Sequence, residues 1–231
     1  MSDISLYFLE RGEGEPLILL HGNGESHDYF SSQIEYFSRF FTVIAPDTRG
    51  HGQSPRGMAP FTIRQFADDL HDFMEERGIA RAHILGFSDG GNIALCFALK
   101  YPDMVGRLVL NGANLAPSGV KASVQLPIEI GYRLSRLFAK HSAGARANAE
   151  VLGLMVNDPN LDAAELSRIT APTLIIVGDR DMIKPAHSKL IADSIPDARL
   201  CILHGDHFVA ARNPEEFNRE VGRFLGCAVD E

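Results

Sequence analysis

Short apolar runs bounded by Gly, Pro and Asp recur along the chain: "PLILLHG" (16–22), "FTVIAPD" (41–47), "AHILGFS" (82–88), "GRLVLNG" (106–112), "PTLIIVGD" (172–179) and "ARLCILHGD" (198–206). Each is nearly continuous rather than alternating, the pattern of strands buried on both faces of a parallel sheet. Amphipathic stretches of helical length lie between most of them, at 27–39, 62–77, 89–100 and 185–194, and a last one at 213–225 follows an Asn-Pro start. Steady alternation of strand and helix predicts an α/β fold with a mostly parallel twisted sheet of about seven or eight strands, flanked by helices. The opening "ISLYFLERGEG" (4–14) alternates better and predicts an antiparallel edge.

The rhythm breaks once. Residues 116–169 contain no convincing strand, too long a stretch for a simple connection, so they predict a small helical lid inserted into a core of residues 1–115 and 170–231. Helical patterns run through about 123–140 and 145–156. Arg133, Arg136 and Lys140 share one helical face, and Arg146 follows, making a basic island; Ile130, Leu134, Leu137 and Phe138 share another. The basic face is expected to be solvated and the apolar face to roof a small hydrophobic pocket.

Composition narrows the picture only a little. The chain has 231 residues, 45% hydrophobic and 23% charged, which suits one sizeable core. Its net charge of −8 argues against nucleic acid or an anionic membrane as main partner. Cys96, Cys201 and Cys227 form no CxxC pair and no metal-like spacing. The opening "MSDISLYFLERGEGE" lacks the basic and apolar regions of a secretion signal, and no apolar run approaches bilayer length. The expectation is a reduced cytoplasmic protein, monomer or homodimer, acting on a small molecule.

Chemistry enters at "ILGFSDGGNIAL" (84–95), where an apolar strand passes into a helix through a Gly-rich turn. Gly86-Phe87-Ser88-Asp89-Gly90 is G-x-S-x-G in its strand–turn–helix context, which lifts a serine hydroxyl clear of a sheet edge. A helix-capping serine would not need the flanking glycines. A serine hydroxyl becomes a nucleophile only beside a base that a third group orients. His207, after the last predicted strand, is the candidate base, with His204 as the fallback; His187 and His141 fall in a surface helix and in the lid. The acid is expected after the strand that follows the lid, where "GDRD" offers Asp179 and Asp181. Asp181 is favoured because the turn needs a residue or two before a side chain can swing toward His207; Asp179 then forms the turn.

With these residues in place, the chain resembles the α/β-hydrolase fold superfamily, in its serine esterase and lactonase-like branch. The motifs "HGNGES" (21–26), "DTRGHGQS" (47–54), "GFSDGG" (86–91), "VGDRD" (177–181) and "GDHF" (205–208) carry the likeness in order over essentially the whole chain. The resemblance implies a Ser88–Asp181–His207 triad, with an oxyanion hole from the backbone N–H groups of Asn23 and Asp89. It implies a carboxylic ester or lactone substrate and an acyl-enzyme intermediate; carbon–carbon bond hydrolases, lyases and small-molecule receptors of the same fold keep the triad and stay open. His21, Gly22 and Phe87 at the two turns, and Leu134 and Phe138 in the lid, are the candidate pocket residues. The Asp89 side chain offers either attraction for a substrate amine or simple helix-dipole stabilisation. Asp47 and Arg49 are expected to brace loops. "HGNGES" and "RGHGQS" lack the third glycine of a dinucleotide loop, so no cofactor or metal is expected.

Overall fold

The apolar runs assemble into one seven-stranded sheet in the computed structural model, which describes residues 2–227. The outermost residues of the expected core, Met1 and 228–231, lie outside the described residues. In chain order the elements are β1 (Phe8–Arg11), β2 (Pro16–Leu20), α1 (Ser31–Phe37), β3 (Thr42–Pro46), α2 (Ile63–Glu76), β4 (Ala82–Phe87), α3 (Asp89–Lys100) and β5 (Val105–Asn111). There follow α4 (Ala122–Phe138), α5 (Ala143–Asn157), β6 (Thr173–Gly178), α6 (Pro185–Ser194), β7 (Ala198–Leu203), α7 (Val209–Arg212) and α8 (Pro214–Leu225).

The strands lie in the order β1-β3-β2-β4-β5-β6-β7. β1 pairs antiparallel with β3, and every other pair is parallel. Continuous burial explains the continuous apolar runs: Leu17 to Leu20 of β2 are sealed by helices on both faces. One face carries Ile63, Phe66 and Leu70 of α2 with Ile93 and Phe97 of α3; the other carries Phe30 just before α1, Phe37 of α1, and Phe217 and Val221 of α8. Because the order reverses at β2, the carboxyl ends of the central strands open onto one crevice.

Two expectations fail at the margins. β7 is not buried on both faces: it is the edge strand, and Ile202 is 58% exposed. In α4 the apolar residues face outward as well, with Leu134 and Phe138 54% and 55% exposed beside exposed Leu126, Ile130 and Leu137. Helical periodicity defines a stripe without saying which side is covered; α5 packs against a different side of α4, where Gly131 meets Leu152 and Tyr132 meets Gly153. Among the described residues no helix is long and apolar enough to cross a membrane.

Candidate active site

β4 delivers Phe87 and stops, and Ser88 turns the chain into α3 at φ 53°, ψ −118°. A non-glycine residue at positive φ is held only where its surroundings demand it. Here the Ser88 N–H donates to the Asn111 carbonyl at the end of β5 (2.8 Å), and the Ser88 carbonyl accepts from Asn92 N–H (3.1 Å). The glycines permit the crossing: a Cβ on Gly90 would stand 2.0 Å from the Leu20 carbonyl oxygen, and one on Gly86 2.3 Å from that of Gly90.

The segments after β6 and β7 bring the partners. His207 Nε2 lies 3.0 Å from Ser88 Oγ, and His207 Nδ1 lies 2.8 Å from Asp181 Oδ1. With the carboxylate accepting from Nδ1–H, Nε2 is left with its lone pair toward the serine hydroxyl, an assignment that follows from the partners. His207 and Asp181 are both buried, and Asp181 Oδ1 also accepts from the Ile183 N–H (2.9 Å), which fixes the carboxylate. The imidazole packs against Phe87, ring centroids 4.9 Å apart.

The alternatives pair with each other at the surface: His204 Nδ1 meets Asp179 Oδ2 at 2.9 Å, and Asp179 Oδ1 accepts from the Gly205 N–H. Asp179 is thus a turn former as expected, its carboxyl held below the usual range chiefly by that backbone hydrogen bond.

Asn23 sits in the turn after β2, and its side chain does something the sequence does not disclose. Asn23 Nδ2 donates to the Val151 carbonyl of α5 (2.8 Å), tying the turn to that helix. Asp89 opens α3, so its backbone N–H is one of those a helix start leaves without an intrahelical partner. Its carboxyl is buried, accepts at Oδ1 from Asn92 Nδ2 (3.1 Å) and has no partner at Oδ2 among the described residues; burial pushes its pKa up to about 7.

The pocket candidates separate. Gly22 and Phe87 lie together, since a Cβ on Gly22 would come within 2.9 Å of the Phe87 ring. His21 instead sits beneath the turn: Nδ1–H donates to the Gly22 carbonyl (2.8 Å) and Nε2 accepts from the Thr48 N–H (3.0 Å). Burial pushes its pKa down to about 4 and keeps it neutral, so it is a brace rather than a lining residue. The exposed Leu134 and Phe138 are described above. Asp47 and Arg49 brace loops as expected: Asp47 accepts from His27 and Gln53, and Arg49 is fully buried against Asp69 at 2.7 and 2.6 Å.

Two neighbours escaped the sequence reading. Tyr29 stacks flat on Phe87, centroids 4.2 Å apart, and Glu25 accepts from the Gly22 N–H at 3.2 Å with its carboxyl pushed up by burial. Both stand just after the "HGNG" turn, and the short 3-10 segment His27–Phe30 is what folds Tyr29 back.

The family model of the alpha/beta hydrolase fold matches residues 15–147, more than half of the chain. The chain belongs to that family. Human serine hydrolase BPHL is 28% identical over 247 residues, covering 97% of this chain and 84% of the human protein. A thermophilic esterase from Thermogutta terrifontis superposes with a TM-score of 0.82 at 25% identity, covering 96% of this chain and 93% of the esterase. Est816, an N-acyl homoserine lactone degrading enzyme, does so with a TM-score of 0.79 at 26% identity, covering 96% and 97%.

Proposed function

We propose that this protein is a serine hydrolase of small carboxylic esters or lactones, with Ser88 as nucleophile, His207 as base and Asp181 as its orienting acid. The observation that carries the reading is the hydrogen-bonded chain from Ser88 Oγ through both nitrogens of His207 to Asp181 Oδ1. His207 Nε2 takes the serine proton as Oγ attacks the acyl carbon, and buried Asp181 stabilises the imidazolium that results. The N–H groups of Asn23 and Asp89 receive the developing oxyanion; a lost donor of this kind costs about 3 kcal/mol in the transition state. The imidazolium then protonates the leaving alkoxide. His207 next activates water to attack the acyl-enzyme, and collapse of that second adduct returns the proton to Ser88 and frees the acid.

Gly22, Phe87 and Tyr29 pack as an apolar and aromatic layer behind the nucleophile. Residues 116–169 act as the cap over this site in our reading, supported by the Asn23–Val151 bond between the turn and α5. An esterase and a lactone-degrading enzyme among the structural relatives agree with acyl-oxygen cleavage. The test is hydrolysis of p-nitrophenyl acetate and butyrate by wild type beside Ser88→Ala. Multiple turnovers lost in the variant support the reading; a single-turnover burst, or activity that survives the substitution, refutes it.

A further inference from the structure

Among the described residues, β7 ends the sheet with one side of its backbone unpaired. The carbonyls of Asp197 and Leu203 turn toward β6, accepting from the N–H groups of Thr173 and Asp179 (both 2.8 Å). Backbone groups alternate along a strand, so the N–H and C=O groups of Ala198, Leu200 and Ile202 point outward. Of the devices that usually blunt such an edge, β7 carries one charge, Arg199, but no proline and no lysine, and its outward backbone groups belong to apolar residues. Leu200 and Ile202 are exposed together with Leu190 of α6, and beside them opens a cavity of about 200 Å³ walled by Val177, Ile183 and Pro185.

We propose that this edge pairs with the same edge of a second copy of the chain, antiparallel about a two-fold axis at Cys201, so that one sheet runs through a homodimer. The proposal is independent of the catalytic reading.

Backbone parity permits a second copy in this register, and side-chain match and charge favour it. Outward-pointing residues must face outward-pointing residues, which an axis at Cys201 satisfies: Leu200 faces Ile202 of the second copy, and Ala198 faces His204. Leu200 and Ile202 share one face, so the pairing sets leucine against isoleucine twice over and covers the apolar step beside the cavity. Arg199 is exposed and makes no ion pair among the described residues, and the axis carries it opposite Leu203 of the second copy. Glu216 begins α8 at that end of the strand, and with Glu220 it lies on the Cys201 face, where burial and both carboxylates push the thiol up. Arg199 against Glu216 of the second copy is attractive on both sides of the axis, so the segment does not repel its own image.

The axis also makes a distinctive demand. Cys201 meets its own image at a non-hydrogen-bonded position, where Cα atoms stand about 4.5 Å apart, within disulfide reach. The experiment combines sedimentation over a concentration series with copper-phenanthroline oxidation read on a non-reducing gel. Wild type is expected at twice the 25.3 kDa chain mass. The cross-linked band should persist in Cys96→Ser and Cys227→Ser and vanish in Cys201→Ser. Ile202→Lys should shift the sedimenting species to the monomer. Arg199→Glu should weaken the dimer, and Arg199→Glu with Glu216→Arg should restore it, which keeps the test decisive if Ile202→Lys misfolds. A monomer at every concentration overturns the proposal and leaves the edge to a strand from another protein. A dimer indifferent to Cys201 and Arg199 overturns it equally.

Discussion

The difference between Asp181 and Asp179 shows how much two residues of spacing decide. Both carboxylates sit beside a histidine at 2.8 or 2.9 Å, yet Asp181 is 3% exposed while the Asp179 side chain is 44% exposed. A buried carboxylate that already accepts from the Ile183 N–H cannot reorient, so it holds one tautomer of His207; the exposed one competes with water. Asp181→Asn keeps the shape but offers an amide where Nδ1–H needs an acceptor. Its kcat/KM toward p-nitrophenyl butyrate should fall by a factor on the order of 10⁴, with KM little changed. Asp179→Asn should stay within a few-fold of wild type, since it touches only the surface turn. Equal losses in the two variants would break the assignment.

At the scale of elements, the site depends on how closely α3 approaches β2. Gly90 lies where the helix start crosses the end of β2, so Gly90→Ala must push backbone against backbone. We expect a loss of roughly 3 kcal/mol or more in denaturant unfolding, or failure to accumulate as folded protein. α5 is anchored in the core by a single buried side chain, Leu154, and otherwise by polar ties. Arg56 grips Glu150 with two bonds (2.9 and 2.6 Å), but both side chains are about one-third exposed, and Asn23 adds one bond to Val151. Such a pair is worth at most about 1 kcal/mol. Glu150→Gln should therefore move the global Tm by no more than a few degrees. Amide exchange across 143–157 should rise several-fold, while β4 and α3 stay protected. Uniform exchange changes would mean that α5 is part of the global folding unit.

These elements also mark what was legible in the sequence. The buried strands were readable because Leu17 to Leu20, Ile84 and Leu85, and Leu108 to Leu110 are apolar for a local reason, burial on both faces. The elbow was readable because its glycines answer to local crowding. The outward stripe of α4 was not, because amphipathicity carries no information about which neighbour arrives. The exposure of β7 was hidden for the same reason: "ARLCIL" reads as an interior strand, and only the sheet order makes it an edge. His21, adjacent to the oxyanion-turn candidates, reads as a pocket residue; its bond to the Gly22 carbonyl is local, but the one from the Thr48 N–H exists only once the "DTRG" loop packs against it.

For the molecule as a whole, burial moves its ionisable groups in opposing directions, and the balance sets its response to acid. His21 is pushed from 6.5 down to about 4 by burial. Between those values the unfolded chain binds a proton that the folded one refuses, so this contribution makes stability rise with pH from about 4 to 6.5. Asp89 is pushed the other way, from 3.8 up to about 7. Over that window the folded chain holds a proton the unfolded one releases, so this contribution makes stability fall as pH rises. The two windows overlap and the shifts are of similar size. His51, His83 and His187 add to the first trend, and Glu25 and Asp158 to the second, each mainly through burial. Wild type should therefore show a nearly flat unfolding free energy between about pH 4.5 and 6.5. Asp89→Asn removes the largest opposing group while keeping an oxygen for Asn92, so its stability should climb through the same window. Relative to wild type the gain at pH 7.5 should reach a few kcal/mol at most, and about none near pH 4. Urea titrations of both proteins at three pH values measure the slopes directly. A variant that tracks wild type at every pH would mean that Asp89 is ionised in the folded protein, with a cation or water network beside Oδ2.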